Sequence, residues 1–189
     1  MAFHLKKSVV LVGMMGSGKT SVGRTLARAL DVPFVDSDHE IETASSYQIP
    51  ELFQRFGEVY FREKETQVLL RLLQDEPRII ATGGGAYMNQ SNQVNISKFG
   101  IAVWLNAELN LLWARVKGSK NRPLLHTDDP YQTLSEINKT RAKIYAQAPI
   151  HVAAHSYHSP KETARDVVRA LVKRPDVLER VNDNGNGSS

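Results

Sequence analysis

A chain of 189 residues with 41% hydrophobic and 23% charged residues has the size and balance of one folded α/β domain, which excludes a mostly disordered polymer and leaves two full domains cramped. The absence of cysteine excludes a disulfide framework, cysteine-based zinc sites and thiol catalysis, and it fits a reducing compartment. The net charge of +4 suits anionic small molecules and nucleic acid alike, and no apolar run approaches the ~20 residues that span a bilayer.

The first predicted strand is Val9–Val12. Lys6 and Lys7 precede it as they would in a signal peptide, but the run is short and leads into Gly16-Ser17-Gly18-Lys19 in place of a small-residue cleavage site, so it reads as a buried strand. Gly13-Met14-Met15-Gly16-Ser17-Gly18-Lys19-Thr20 then matches G-x-x-x-x-G-K-[ST] in full. Such glycines let backbone N–H groups turn toward phosphate oxygens at a helix N-terminus. Lys19 reaches the β and γ phosphates in this motif, and the Thr20 hydroxyl suits Mg²⁺. A chance glycine-rich turn is the plain alternative. The strand before the motif and the helical spacing of Val22, Leu26 and Leu30 after it favour nucleotide binding.

The second predicted strand, Pro33–Val35, ends in Asp36-Ser37-Asp38. Two carboxylates at alternate extended positions point to one side, one nearer a metal and the other nearer an acceptor. Solvated turn or cap residues are the alternative, since aspartate is common there. Residues 39–74 read as helical segments with no strand between them, with Phe61, Val68, Leu69 and Leu72 on an apolar face. Within them Glu65 lies three residues after Arg62, positioned to hold its guanidinium.

Arg78–Ala81 is the third strand, ending in Thr82-Gly83-Gly84-Gly85. A flexible turn is the bland reading of three glycines; at a strand end, they clear side chains from a surface where a ligand can lie on the backbone. Ile101–Leu105 is the fourth strand, and the polar, charged and proline-bearing residues 116–130 read as a mobile loop. That loop carries Arg122, which is either a solvated arginine or one that closes over a γ-phosphate. Arg141 interrupts an apolar helical stripe between Ile137 and Ile144, where snorkelling is the alternative to ligand binding.

Ile150–Ala153 is the fifth strand, followed by a helical stripe of Ala164, Val167, Val168 and Leu171. His151, His155 and His158 cluster in sequence, with a spacing that fits no single helix face. Past Pro175, residues 176–189 read as a disordered polar tail, with Asp176, Glu179 and Asp183 against Arg180. Strands alternating with helices predict a parallel sheet covered on both faces. Aromatic residues make up 7% and do not interleave with basic ones, which gives no support to single-strand stacking.

Taken as a set, the motif at 13–20, Asp36-Ser37-Asp38, Phe61-Arg62 with Glu65, Thr82-Gly83-Gly84-Gly85, Arg122-Pro123-Leu124-Leu125 and Arg141 with Tyr145 resemble the shikimate kinase family from about Lys7 to Leu171. The resemblance implies a three-layer α/β/α P-loop kinase fold with a five-stranded parallel sheet. It implies one domain over 1–175, with a helical substrate-binding region at about 36–66 and a lid at about 116–130. The implied reaction moves the γ-phosphate of ATP to the 3-hydroxyl of shikimate in chorismate and aromatic amino acid biosynthesis. The implied ATP-binding residues are Gly13, Gly16, Ser17, Gly18, Lys19, Thr20, Ser21, Arg115, Arg122, His158 and Pro160. Asp38, Arg62, Gly83, Gly84, Gly85 and Arg141 are implied for shikimate, and Thr20 with Asp36 for one Mg²⁺. Lys19, Asp38 and Arg122 are the implied catalytic residues. A cytoplasmic monomer with no nucleic-acid or membrane partner is expected. Gluconate kinases share the P-loop and the paired aspartates, and a catalytically idle nucleotide-binding domain is the rival from another class. Ser46 departs from the family, which often has glycine there; a turn with positive φ at that position would be strained.

Overall fold

The computed structural model describes residues 2–119 and 123–181. In chain order its elements begin with β1 (Ala2–Leu5), β2 (Ser8–Val12), α1 (Lys19–Leu30), β3 (Phe34–Asp36), α2 (Ser37–Ser45), α3 (Ile49–Gln74) and β4 (Ile79–Ala81). They continue with α4 (Gln90–Phe99), β5 (Gly100–Ala107), α5 (Leu109–Val116), α6 (Pro130–Tyr145), β6 (Ile150–Ala154), α7 (Pro160–Leu171) and β7 (Leu178–Val181).

The five predicted apolar runs become one parallel sheet in the order β3-β4-β2-β5-β6. Central β2 is buried along its whole length, pairing Val9 to Leu11 with Ile79 to Ala81 on one side and Ser8 to Val12 with Gly100 to Trp104 on the other. The period of two divides its side chains between two cores. Val10 and Val12 join Ile80, Leu69, Leu72 and Tyr145 on one face. Val9 and Leu11 join Ile79, Val22, Leu26, Val167 and Leu171 on the other. Each aliphatic side chain buried this fully contributes about 1.5–3 kcal/mol. Edge strand β6 alternates instead, with His151 and Ala153 exposed.

Residues 39–74 are helical without a strand, as expected, but α3 is broken at Gly57, whose φ of 80° and ψ of 173° lie outside helical space. Ser46 ends α2 with φ 60°, so the turn does adopt the left-handed conformation that disfavours serine. In the predicted lid the described residues include a short 3-10 turn at Pro123–Leu125, whose Leu125 is buried in the first core.

The predicted boundary at residue 175 is corrected by the structure. β7 pairs antiparallel with β1, from Ala2 opposite Val181 to Leu5 opposite Leu178. Val177 and Leu178 are the cause: two apolar residues in a polar stretch bury beside Leu5 in the second core. Lys6 to Glu179 at 2.7 Å, Lys7 to Asp176 at 3.1 Å and Arg174 to Asp176 at 2.9 Å line up charges around this pair. The rest of the predicted tail, residues 182–189, lies outside the described residues.

Candidate active site

Three loops leave the same edge of the sheet: the loop after β2, the β3–α2 junction and the loop after β4. This is where open parallel sheets bind ligands. In the first, Gly16 and Gly18 take φ values of 81° and 94°, and α1 begins at Lys19. The first-turn N–H groups of α1 have no acceptor within the helix and carry its positive dipole end. The buried Lys19 Nζ donates to the carbonyls of Gly13 at 2.8 Å and Met14 at 2.9 Å, which holds the ammonium within the loop.

From the next residue a polar chain runs to the second strand. Thr20 Oγ1 donates to Asp36 Oδ2 at 3.0 Å, while Asp36 Oδ1 accepts from the Asp38 N–H at 3.1 Å and so caps α2. The Asp38 carboxyl is pushed up to about 6, first by burial and then by the charges of Asp36 and Glu65, with Lys19 opposing them.

Three charged side chains meet at the glycine triplet. A Cβ on Gly83 would meet Asp38 Oδ1 at 2.7 Å, one on Gly84 would meet Arg141 Nη1 at 3.2 Å, and one on Gly85 would meet Arg62 Nη2 at 2.7 Å. Any larger residue there would displace the carboxylate or the arginines. The Tyr145 hydroxyl donates to the Gly84 carbonyl, and burial pushes that phenol up to about 12. Arg62 donates through Nη1 to buried Glu65 at 2.8 Å, the spacing read from the sequence. The Glu65 carboxyl is raised by burial, against the opposing charges of Arg62 and Arg141.

A cleft of about 520 Å³ is lined by the P-loop from Met15 to Ser21, by Asp36, Asp38, Thr82, Gly83 and Gly84, and by Arg115, His158 and Pro160. Arg115 on α5 donates to the Gly16 carbonyl at 3.0 Å. His158 and Pro160 close the other side, where Pro160 starts α7 after a Ser159–Glu162 capping box. Arg62, Arg141 and Gly85 gather around the end of the triplet instead of lining this cleft. Arg122 lies outside the described residues. The three histidines do not share one site: His151 packs edge-on against Trp104 at 5.1 Å, whereas His155 and His158 touch each other.

Glu58 is not among the residues the sequence singles out; one helical turn before Arg62, it lies against that guanidinium at 3.4 Å. The (i, i+4) spacing is the signal for it. Met15 also lines the cleft, from one of the unspecified positions of the 13–20 motif.

The family model for shikimate kinase matches residues 15–172. The chain belongs to the shikimate kinase family. Shikimate kinases of Ruegeria pomeroyi and Cereibacter sphaeroides are 47% and 51% identical to it, over 94% and 93% of this chain and 91% and 88% of theirs. The shikimate kinase of Acinetobacter baumannii, solved in complex with shikimate, is similar in structure with a TM-score of 0.83 and 37% identity, covering 88% of this chain and 93% of that one. The family expected from the ordered set of motifs is borne out, and so is its α/β P-loop kinase fold with a five-stranded parallel sheet.

Proposed function

We propose that this shikimate kinase family member transfers the γ-phosphoryl group of ATP to the 3-hydroxyl of shikimate, giving shikimate 3-phosphate and ADP in chorismate and aromatic amino acid biosynthesis. Kinase activity on shikimate with ATP is the reaction of the family. The observation that carries the division of labour is that Asp38, Arg62 and Arg141 all converge on Gly83-Gly84-Gly85 beside a complete P-loop.

Phosphoryl transfer asks mainly for alignment and charge neutralisation. Lys19 and the first-turn amides of α1 hold the phosphates, with Gly13, Gly16, Ser17, Gly18, Thr20 and Ser21 forming the cradle. Arg115, His158 and Pro160 flank the nucleobase end, and the family resemblance assigns Arg122 to the phosphates. The forks of Arg62 and Arg141 suit a planar carboxylate, each charge-assisted bond being worth ~1.5–3 kcal/mol. Asp38 accepts the hydrogen bond of the acceptor hydroxyl and takes its proton as the new oxygen–phosphorus bond forms. The Thr20 hydroxyl and Asp36 carboxylate, 3.0 Å apart, are hard oxygen donors that fit one Mg²⁺. That ion supplies neutralisation of phosphate charge when bound.

No helix among the described residues is long and apolar enough to cross a membrane, and basic residues are spread along the chain. The proposal takes ATP and shikimate as the partners of a cytoplasmic monomer, without nucleic acid or membrane. Arg62→Lys tests the assignment, because a point charge does not replace a fork. The KM for shikimate rises at least tenfold while the KM for ATP stays within about twofold, the scale of losing one charge-assisted bond. A change in ATP affinity alone contradicts the assignment.

A further inference from the structure

We propose that Glu58 is an internal stand-in for the acceptor's carboxylate: it occupies one edge of the Arg62 guanidinium until the acceptor arrives and then yields that edge, so it sets acceptor affinity. The inference rests on the reading that Arg62 binds the acceptor's carboxylate.

A guanidinium offers planar edges on which a carboxylate forms paired bonds. Glu65 takes Nη1 of Arg62 at 2.8 Å. Glu58 Oε1 lies 3.4 Å from both Nε and Nη2, spanning the other edge. Both of these places are therefore held by the chain's own carboxylates, and an incoming carboxylate has to displace one of them to pair with that edge.

The two carboxylates differ in what leaving costs. The Glu65 side chain is 2% exposed, so moving it off Arg62 strands a buried charge. The Glu58 side chain is 68% exposed and its contact is longer, so it needs only to rotate into water. Glu58 also follows Gly57, where α3 breaks, and so stands in the first turn of the second helical half. A carboxylate remains favourable at that helix start after it releases the arginine. Replacing one carboxylate by another keeps the charge around Arg62 constant. Arg62 is partly buried, and the pair of acids outweighs the effect of burial in keeping it charged.

The test is steady-state kinetics of the full chain carrying Glu58→Gln, which keeps the shape and removes the charge. The KM for shikimate falls about two- to fivefold, the range of an exposed ion pair, while the KM for ATP does not move. The variant's KM for shikimate also rises more steeply with added KCl than the wild type's, because the anion now enters a site with one more uncompensated positive charge. A thermal midpoint recorded alongside separates a purely structural role, which shifts melting and leaves KM alone. An unchanged or raised KM for shikimate in a folded Glu58→Gln variant overturns the proposal. Arg62→Lys distinguishes the two levels. If it leaves shikimate KM unchanged, the carboxylate assignment itself fails; if it raises KM and Glu58→Gln does nothing, only the stand-in role fails.

Discussion

Asp38 is a half-buried carboxylate facing two other acids, Asp36 and Glu65, and its proton is held up to about 6. Raised above the unfolded value of 3.8, its contribution to stability is complete below pH 3.8 and is lost as pH rises through 6. The loss is on the order of 3 kcal/mol. A site that needs an ionised Asp38 therefore works where the fold is less stable. Asp38→Asn makes both sides visible. Its thermal midpoint exceeds that of the wild type at pH 8 by more than at pH 5, while turnover collapses. In the wild type, kcat/KM for shikimate declines as pH falls through about 6; a profile flat from pH 5 to 8 contradicts this role. At this scale the sequence was informative where spacing carried the signal. Arg62 and Glu65 at (i, i+3) and Arg141 within an apolar stripe were legible. The contact of Tyr145 with the Gly84 carbonyl was not, because it joins residues far apart in the chain.

Elements were legible when local composition and local burial agreed. The five sheet strands are short apolar runs bounded by glycine, proline or aspartate, and cover on both faces leaves inner strands β2 and β4 no polar side, while edge strand β6 keeps His151 and Ala153 exposed. Helix α4 went unread because one of its buried positions is Asn92, whose side chain donates to the Ala86 carbonyl at 2.9 Å, so the apolar period is erased. Strands β1 and β7 went unread for another reason: each is four residues long, and their pairing joins the two ends of the chain. Removing everything after Pro175 deletes β7 and the buried Val177 and Leu178. At about 1.5–3 kcal/mol for each of the two side chains, the thermal midpoint drops on the order of 10 °C. A truncated chain that melts with the wild type contradicts the terminal pairing.

Across the whole molecule, the sheet separates two cores and presents its functional loops at one edge. The P-loop follows β2, Asp36 ends β3 and the glycine triplet follows β4, so adjacent strands bring the P-loop, the paired aspartates and the triplet side by side. Three of the ordered motifs, the P-loop, Asp36-Ser37-Asp38 and the glycine triplet, carry the cleft because each lies where a strand stops. What they did not carry is Glu58, the second acid beside Arg62, which stands in the helical half that restarts after the break at Gly57. If this site joins ATP to shikimate, coupled ADP release with Mg-ATP, run in parallel with shikimate, gluconate and no acceptor, shows it. Release then depends on shikimate and stays at background in the other two reactions. Release with gluconate alone, or none that depends on an acceptor, contradicts it.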